Sequence, residues 1–125
     1  MRLLLDTHVF LWWRLDAPSL TQRMREAIGD PANEVHVSAA AGWEIVIKRQ
    51  LGKLEFGGTF LGALADEGFS CLAITAEHVD EVAALPDHHR DPFDRLMVAQ
   101  ARRQGLTLLT IDPLVLQYGG FARLA

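Results

Sequence analysis

Two acidic residues directly follow apolar segments that are typical of buried strands. Asp6 comes after the segment 2–5, and Asp112 comes after the segment 106–111. Ligands of parallel sheets bind beyond the carboxyl ends of the strands, so these two carboxylates are candidates for one shared cleft. The alternative is local for both residues, because an aspartate in a turn or just before Pro113 is also a common helix N-cap.

A third acidic residue, Asp94, lies on a helix face that should be buried. It shares that face with Met97, Val98 and Ala101 at the spacing of an amphipathic helix. An ionised carboxylate that is buried without a partner costs several kcal/mol or shifts its pKa, so we expect a cation nearby. The alternative is that Asp94, three residues after the predicted N-cap Asp91, only complements the helix dipole.

Glu44 is a weaker candidate when it is taken alone. It lies at the edge of the apolar helix face that carries Ala40, Ile47 and Leu51, and Lys48 follows four residues later. An ion pair at this spacing is common on helix surfaces and would explain Glu44 without any function. Glu44 becomes a candidate only together with the other three acids. Two of the four acids follow strand ends and two lie in early turns of helices that follow strands, so all four would meet at one edge of the sheet.

Four carboxylates at one sheet edge indicate a site for Mg²⁺ or Mn²⁺, which prefer oxygen ligands, whereas zinc would call for histidine or cysteine. These cations make bound water acidic enough to attack phosphorus, so the chemistry indicated is phosphodiester hydrolysis. The formal net charge of −4 excludes a generic electrostatic binder of nucleic acid, but two divalent cations would cancel that charge.

Basic residues and histidines are the candidates for contact with a phosphate substrate. Each basic residue alone is typical of a solvated surface charge, but together they predict a local basic patch. The five candidates are Arg14, Lys48, Lys53, Arg90 and Arg95. His88 and His89 belong to a polar loop and are interpreted as exposed loop residues, with substrate contact as the alternative.

The order of apolar runs, helical periods and turn signals predicts how these residues are positioned. Strands and helices alternate, which favours a parallel sheet covered on both faces. Strands are predicted at 2–5, 35–38, 70–74 and 106–111, and an edge strand is considered at 121–124. Helices are predicted after Asp6, from a Ser19–Gln22 capping box, over 39–51, near 59–67, from Thr75 to about 85, and from Asp91 to Gln104.

Length and composition indicate one globular domain over residues 1–125. Half of the 125 residues are hydrophobic and 22% are charged, which is typical of a chain that buries a core. The apolar runs stop far short of the ~20 residues that a membrane span needs. Cys71 is the single cysteine and lies in an apolar stretch, so we expect it to be reduced and buried. A soluble, cytoplasmic protein is therefore predicted.

Three segments carry a family resemblance that extends over essentially the whole chain. "LLLDTHVFLWW", "VSAAAGWEIVIKRQLGKL" and "DPFDRLMVAQARRQGLTLLTIDP" resemble the PIN-domain ribonucleases, specifically the toxins of VapBC-type toxin-antitoxin pairs. One such match would be weak, but four acids in family order with their flanking patterns are specific. The resemblance implies a three-layer α/β/α sandwich around a parallel sheet and a Mg²⁺-dependent endoribonuclease, with Mn²⁺ expected to substitute. It also implies a homodimer and a cognate VapB-type antitoxin.

The resemblance also assigns roles to individual residues. The metal-binding and catalytic acids of the family carry over to Asp6, Glu44, Asp94 and Asp112, and its strand-end hydroxyl carries over to Thr7. The chain departs from the family where relatives often have a serine ahead of the tryptophan and glutamate. Ala41 and Gly42 stand there instead, which puts a hydroxyl contact to the substrate in doubt.

Two other functions remain open at this point. A Mg²⁺-dependent phosphatase could use the first acid as its nucleophile, but such enzymes usually have a second aspartate two residues later, where this chain has His8. A non-catalytic binding module would use the acids as helix caps and an apolar surface to dock a partner. A separate expectation concerns partners. Leu11, Trp12 and Trp13 cannot all face one side of a helix, so we expect Trp12 to be exposed on a contact surface for a second subunit or an antitoxin segment. The alternative is a first helix that is buried on two sides within the monomer.

Overall fold

A computed structural model describes residues 1–119 and 122–123 of the chain. Five strands and seven helices alternate within these residues. The strands are β1 (Arg2–Leu5), β2 (Glu34–Ser38), β3 (Ser70–Leu72), β4 (Thr107–Leu109) and β5 (Ala122–Arg123). The helices are α1 (Thr7–Leu15), α2 (Gln22–Gly29), α3 (Ala39–Gln50), α4 (Phe60–Glu67), α5 (Ala76–Ala84), α6 (Pro92–Gln104) and α7 (Pro113–Leu116).

The strands form one parallel sheet in the order β3-β2-β1-β4-β5. At its centre, Leu5 of β1 is in register with Val37 of β2 and with Leu109 of β4. The main-chain N–H of Asp6 donates to the carbonyl of Leu109 at 3.2 Å, which extends this register one step beyond β1. The three central strands therefore end together, and the residues that follow them share one edge of the sheet.

The central strand shows that helices cover both faces of the sheet. Leu3, Leu4 and Leu5 are all fully buried, and neighbouring residues of a strand point to opposite faces. A run of consecutive buried apolar residues is typical of a parallel strand between two helical layers. The predicted α/β fold, a three-layer α/β/α sandwich with a parallel sheet, is confirmed.

Helix ends agree with the sequence at most positions and differ at α2. Asp91 caps α6 ahead of Pro92, as predicted, and accepts hydrogen bonds from two amides of the first turn. The predicted Ser19 cap of α2 is wrong, because Thr21 is the N-cap and accepts from the amide of Met24 at 3.1 Å. A turn closed by the bond from the Leu20 amide to the Ala17 carbonyl takes up the residues before Thr21.

The edges of the sheet depart most from the sequence prediction. The expectation that Cys71 is buried is wrong, since its side chain is exposed on the edge strand β3. The considered edge strand at 121–124 overlaps β5, which pairs with β4, whereas residues 121 and 124 lie outside the described residues. In the described part of the chain, none of the helices has the length and apolarity needed to cross a bilayer.

Candidate active site

Three of the four acidic candidates line one cleft at the carboxyl edge of the sheet. The cleft has a volume of about 340 Å³. Its lining residues are Asp6, His8, Trp12, Asp94, Ile111, Asp112 and Pro113. Asp6 follows β1, Asp112 follows β4 by three residues, and Asp94 lies in the first turn of α6. The register of β1 and β4 thus brings carboxylates from three segments of the chain to one concave surface.

His89 lies between two of these carboxylates. Its Nε2 atom is 2.8 Å from Asp112 Oδ2 and 3.2 Å from Asp94 Oδ2. The ring nitrogen and one oxygen of each carboxylate all lie within 4.8 Å of one another. Two carboxylates at this separation supply oxygen ligands that fit a divalent cation, and the imidazole lies within contact distance of both.

The interpretation of His89 as an exposed loop residue is wrong, while His88 is exposed as expected. The His89 amide donates to Tyr118 Oη at 3.0 Å, and its Nδ1 accepts from the Asp91 amide at 2.9 Å. Arg95 holds the same loop by donating to Tyr118 Oη at 3.2 Å. The available sequence signal was the position of His89 two residues before the N-cap of the helix that carries Asp94.

Burial and neighbouring charge perturb Asp94 strongly. Its side chain is 23% exposed. Burial is the main cause that raises its pKa, the carboxylate of Asp91 raises it further, and His89 partly opposes them, so that the pKa reaches about 7. The charges of Asp6 and Glu44 act in the same direction as burial. The charge of Asp112 acts in turn on Asp6. The four predicted acids are therefore linked electrostatically, and additional negative charge near Asp94 is unfavourable.

Asp6 and Asp112 act as helix caps and line the cleft at the same time. Asp6 Oδ1 accepts from the amide of Val9 at 2.8 Å, and Asp112 Oδ1 accepts from the amide of Leu114 at 2.9 Å. Burial raises the pKa of Asp6, although a hydrogen bond from Thr110 opposes it. Burial is the largest single influence on Asp112 and acts to raise its pKa. The hydrogen bonds from His89 and from the amides of Leu114 and Val115, together with the charge of His89, outweigh burial, so the pKa lies below its ordinary value.

Glu44 is buried on α3, and both of its carboxylate oxygens have a donor. Oε1 accepts from the hydroxyl of Thr7 at 2.6 Å, and Oε2 pairs with Lys48 Nζ at 2.8 Å. The local alternative, an ion pair with Lys48, is therefore present, but so is burial, since only 6% of Glu44 is exposed. Thr7, to which the resemblance assigned the strand-end hydroxyl, positions Glu44.

Packing explains the glycine at position 42, one of the two positions at which the chain departs from the family pattern. A Cβ atom on Gly42 would lie 2.6 Å from Cδ2 and 2.9 Å from Cγ of Phe60. The Phe60 ring in turn packs edge-on against Phe10, with 6.1 Å between the ring centroids. A serine at position 42 would therefore collide with the base of this ring. The Phe60 ring of α4 thus packs on α3 at the position of the missing side chain.

The remaining candidates divide into structural residues and exposed ones. Arg14 pairs with Glu67 at 3.2 Å, and Arg95 is committed to its own loop, so these two side chains have roles inside the fold. Lys53 and Arg90 are exposed, and within the described residues neither side chain has a hydrogen-bond or ion-pair partner. Trp12 is half-buried rather than exposed, because one side of its indole packs against the core.

The comparisons with known proteins agree with one another. The family model of the PIN domain matches residues 3–119. Ribonuclease VapC22 of Mycobacterium tuberculosis is 30% identical over 112 residues, which cover 87% of this chain and 85% of that protein. VapBC2 from Rickettsia felis, in complex with a DNA fragment from the promoter, has a similar fold, with a TM-score of 0.64 and 15% identity over 90% of this chain and 88% of that chain. A toxin-antitoxin complex from Klebsiella pneumoniae also has a TM-score of 0.64, with 17% identity over 97% of this chain and 95% of that chain.

Proposed function

The chain belongs to the PIN-domain family, and on that premise we propose that it is an endoribonuclease that acts as the toxin of a toxin-antitoxin pair. The 30% identity to a protein named as a ribonuclease supports this activity. The observation that carries the proposal is the convergence of Asp6, Asp94 and Asp112 on one cleft. Burial also raises the pKa of Asp94 to about 7, and a strongly perturbed carboxyl group in a cleft is typical of a functional site.

We propose that Asp6, Glu44, Asp94 and Asp112 are the metal-binding and catalytic residues, and that the metal is Mg²⁺ with Mn²⁺ as a substitute. When bound, the cation supplies an acidified water and stabilises the leaving oxygen of the phosphodiester. The chain itself orients the carboxylates, because Asp6 and Asp112 are each held through one oxygen by a helix amide. Thr7 and Lys48 hold the Glu44 carboxylate in place through its two oxygens.

The activity should be tested with the purified chain and a mixture of structured RNAs. We expect cleavage with Mg²⁺ or Mn²⁺ and none with EDTA, and a crystal soaked in Mn²⁺ should show an anomalous peak among the acids. A phosphatase would instead hydrolyse a small phosphate monoester and form a phosphoryl adduct on Asp6. A binding module would cleave neither substrate under any metal condition, and that result would overturn the proposal.

We further propose that residues 1–125 act as one cytoplasmic nuclease domain, that the chain forms a homodimer, and that it binds a VapB-type antitoxin. The similarity in fold to chains of two toxin-antitoxin complexes supports the antitoxin partner. Trp12 and Asp6 line the same acidic cleft, and aromatic side chains that become buried at an interface commonly dominate binding. Trp12→Ala should therefore weaken antitoxin affinity or dimerisation by about 2 kcal/mol. Unchanged affinity with a large fall in Tm would assign Trp12 to the core alone.

A further inference from the structure

His89 contacts the proposed metal-binding residues but is not one of the four acids. In the described part of the chain, it is the one side chain within ion-pair or hydrogen-bonding distance of the Asp94 carboxylate. The same Nε2 atom reaches Asp112 Oδ2 at 2.8 Å, and Asp112 Oδ1 is already committed to the amide of Leu114. The relative placement of the two carboxylates on this side of the cleft therefore depends on one imidazole.

The hydrogen bonds of the ring fix where it carries its proton. The main-chain N–H of Asp91 points at Nδ1 from 2.9 Å, and a main-chain N–H can only donate. Nδ1 must therefore accept, which leaves the proton of the ring on Nε2. Nε2 faces two carboxylate oxygens, which are acceptors, so all three contacts are satisfied by this one tautomer.

Two further contacts hold the backbone of His89. Its amide donates to Tyr118 Oη at 3.0 Å, and its carbonyl accepts from Arg95 at 3.4 Å. Arg95 also donates to the carbonyls of Val82 and Pro86 at 3.1 and 3.2 Å, so it ties the whole loop to the end of α5. Both the ring and the main chain of His89 are thus restrained before any ligand arrives.

We propose that His89 is a positioning residue that donates its Nε2–H to Asp94 and Asp112 and sets the separation of the two carboxylates, and that it is not itself a metal ligand. The inference rests on the proposed function, because it concerns the same metal centre. A carboxylate oxygen has two lone pairs, so Oδ2 of each aspartate can accept from His89 and still bind a cation. Hydrogen bonds of this kind orient metal ligands and preserve their geometry.

The position of the proton can be measured directly. Two-bond ¹H–¹⁵N correlation spectra of the protein labelled at histidine, with and without saturating Mg²⁺, distinguish the two tautomers, and the His89→Gln variant assigns the signal. We expect the proton on Nε2 in both samples. A proton that moves to Nδ1 when Mg²⁺ is added would mean that Nε2 has become a ligand, and would overturn the proposal.

Metal affinity supplies the second measurement, with free Mn²⁺ followed by electron paramagnetic resonance. His89→Leu removes the donor and should weaken Mn²⁺ binding by about 10- to 100-fold, whereas the amide N–H of His89→Gln should restore most of the loss. His88→Leu is the control for loss of an imidazole from the same loop. In the described part of the chain His88 contacts the Tyr118 ring, with 5.0 Å between the ring centroids, and neither Asp94 nor Asp112, so this variant should bind Mn²⁺ nearly as the parent does. Equal losses in the Gln and Leu variants, or tighter binding in both, would contradict a positioning role.

The design separates this inference from the proposed function. A parent protein that binds no Mn²⁺ would overturn the proposed metal centre. The spectrum of the metal-free protein would still decide where His89 carries its proton, and a proton on Nδ1 there would overturn the inference even if the parent binds Mn²⁺ and cleaves RNA.

Discussion

Two groups of acidic residues near the carboxyl edge of the sheet, one on the α3 side and one on the α6 side, balance charge in different ways. On the α3 side, defined by Thr7, Glu44 and Lys48, each oxygen of one carboxylate has its own donor and one donor is a cation. On the α6 side, defined by His89, Asp94 and Asp112, two carboxylates share a single imidazole N–H. Charge is matched on the α3 side and in excess on the α6 side. Added positive charge should therefore stabilise the α6 side most.

The strongest test of this difference is removal of one charge from the α6 side. Asp94→Asn keeps the shape of the side chain but removes a proposed metal ligand, so RNA cleavage in Mg²⁺ should fall by about 1000-fold or more. The metal-free variant should fold and be at least as stable as the parent, because a costly carboxylate is gone.

Asp80→Asn is the matched control, since Asp80 is an exposed residue of α5 and undergoes the same change from acid to amide. It should leave the cleavage rate unchanged. Cleavage by Asp94→Asn at the parent rate, in a preparation free of contaminating nuclease, would remove Asp94 from the site.

The burial of Asp94 among other negative charges should also appear as a pH dependence of stability without metal. The folded-state pKa of Asp94 is raised to about 7 from 3.8, so the folded protein holds this proton over a range where the unfolded chain has lost it. Its contribution is fully present below pH 3.8 and is lost as the pH rises to about 7. The free energy of unfolding should fall across that window by at most about 4 kcal/mol on account of this residue.

Urea unfolding in EDTA, from pH 5 to pH 8, measures this effect as the difference between the parent and Asp94→Asn. The pKa of Asp6 is also raised, chiefly by burial. Asp6 therefore contributes a fall of the same sign in both proteins, and the part that is due to burial cancels in the difference. Saturating Mn²⁺ should flatten the parent curve, because the cation favours the ionised carboxylate. Parallel curves for the two proteins in EDTA would show that Asp94 is not under electrostatic strain.

The α3 side should be sensitive to loss of its cation. Lys48→Met keeps most of the aliphatic stem but leaves the buried Glu44 carboxylate with only the Thr7 hydroxyl. We expect a loss of about 2 kcal/mol of metal-free stability, less than for a fully buried pair because Lys48 is 38% exposed. Mn²⁺ should raise the Tm of this variant more than that of the parent.

Lys53→Met is the control for that change. Lys53 is exposed, follows the end of α3 by three residues and pairs with no acid among the described residues. It should alter neither the stability nor the response to Mn²⁺. If both lysine variants behave alike, the pair between Lys48 and Glu44 does not stabilise the α3 side.

The sequence predicted those parts of the cleft that depend on short-range signals. The strand-end positions of Asp6 and Asp112 follow from apolar runs and from the geometry of parallel sheets. The inward position of Asp94 follows from helical period and from the cap at Asp91, which fixes where α6 begins. In each of these cases, the signal lies within one element and its immediate flank.

The parts that were missed depend on residues far apart in the chain. His89 is held by Tyr118, which is 29 residues away, and no local pattern records that contact. The expectation that Cys71 is buried failed because the order of strands, and not the apolarity of the segment, leaves β3 at the edge of the sheet. Long-range pairing therefore decides which polar groups reach the cleft.

The smallest effect is expected where packing, and not charge, holds the α3 side in place. Gly42→Ala places a Cβ within 2.9 Å of the base of the Phe60 ring, and any movement of that ring would disturb its edge-on contact with Phe10. Such overpacking costs about 1 to 3 kcal/mol, while alanine gains up to about 1 kcal/mol over glycine in a helix. We therefore expect a net loss of about 1 kcal/mol in unfolding free energy.

Gly57→Ala is the control, because nothing lies within 4 Å of its added Cβ, and it should be neutral or slightly stabilising. If Gly42→Ala is as stable as Gly57→Ala, α3 can shift by a few tenths of an ångström without penalty. In that case the α3 side is held by the contacts of Glu44 and not by its packing on α4.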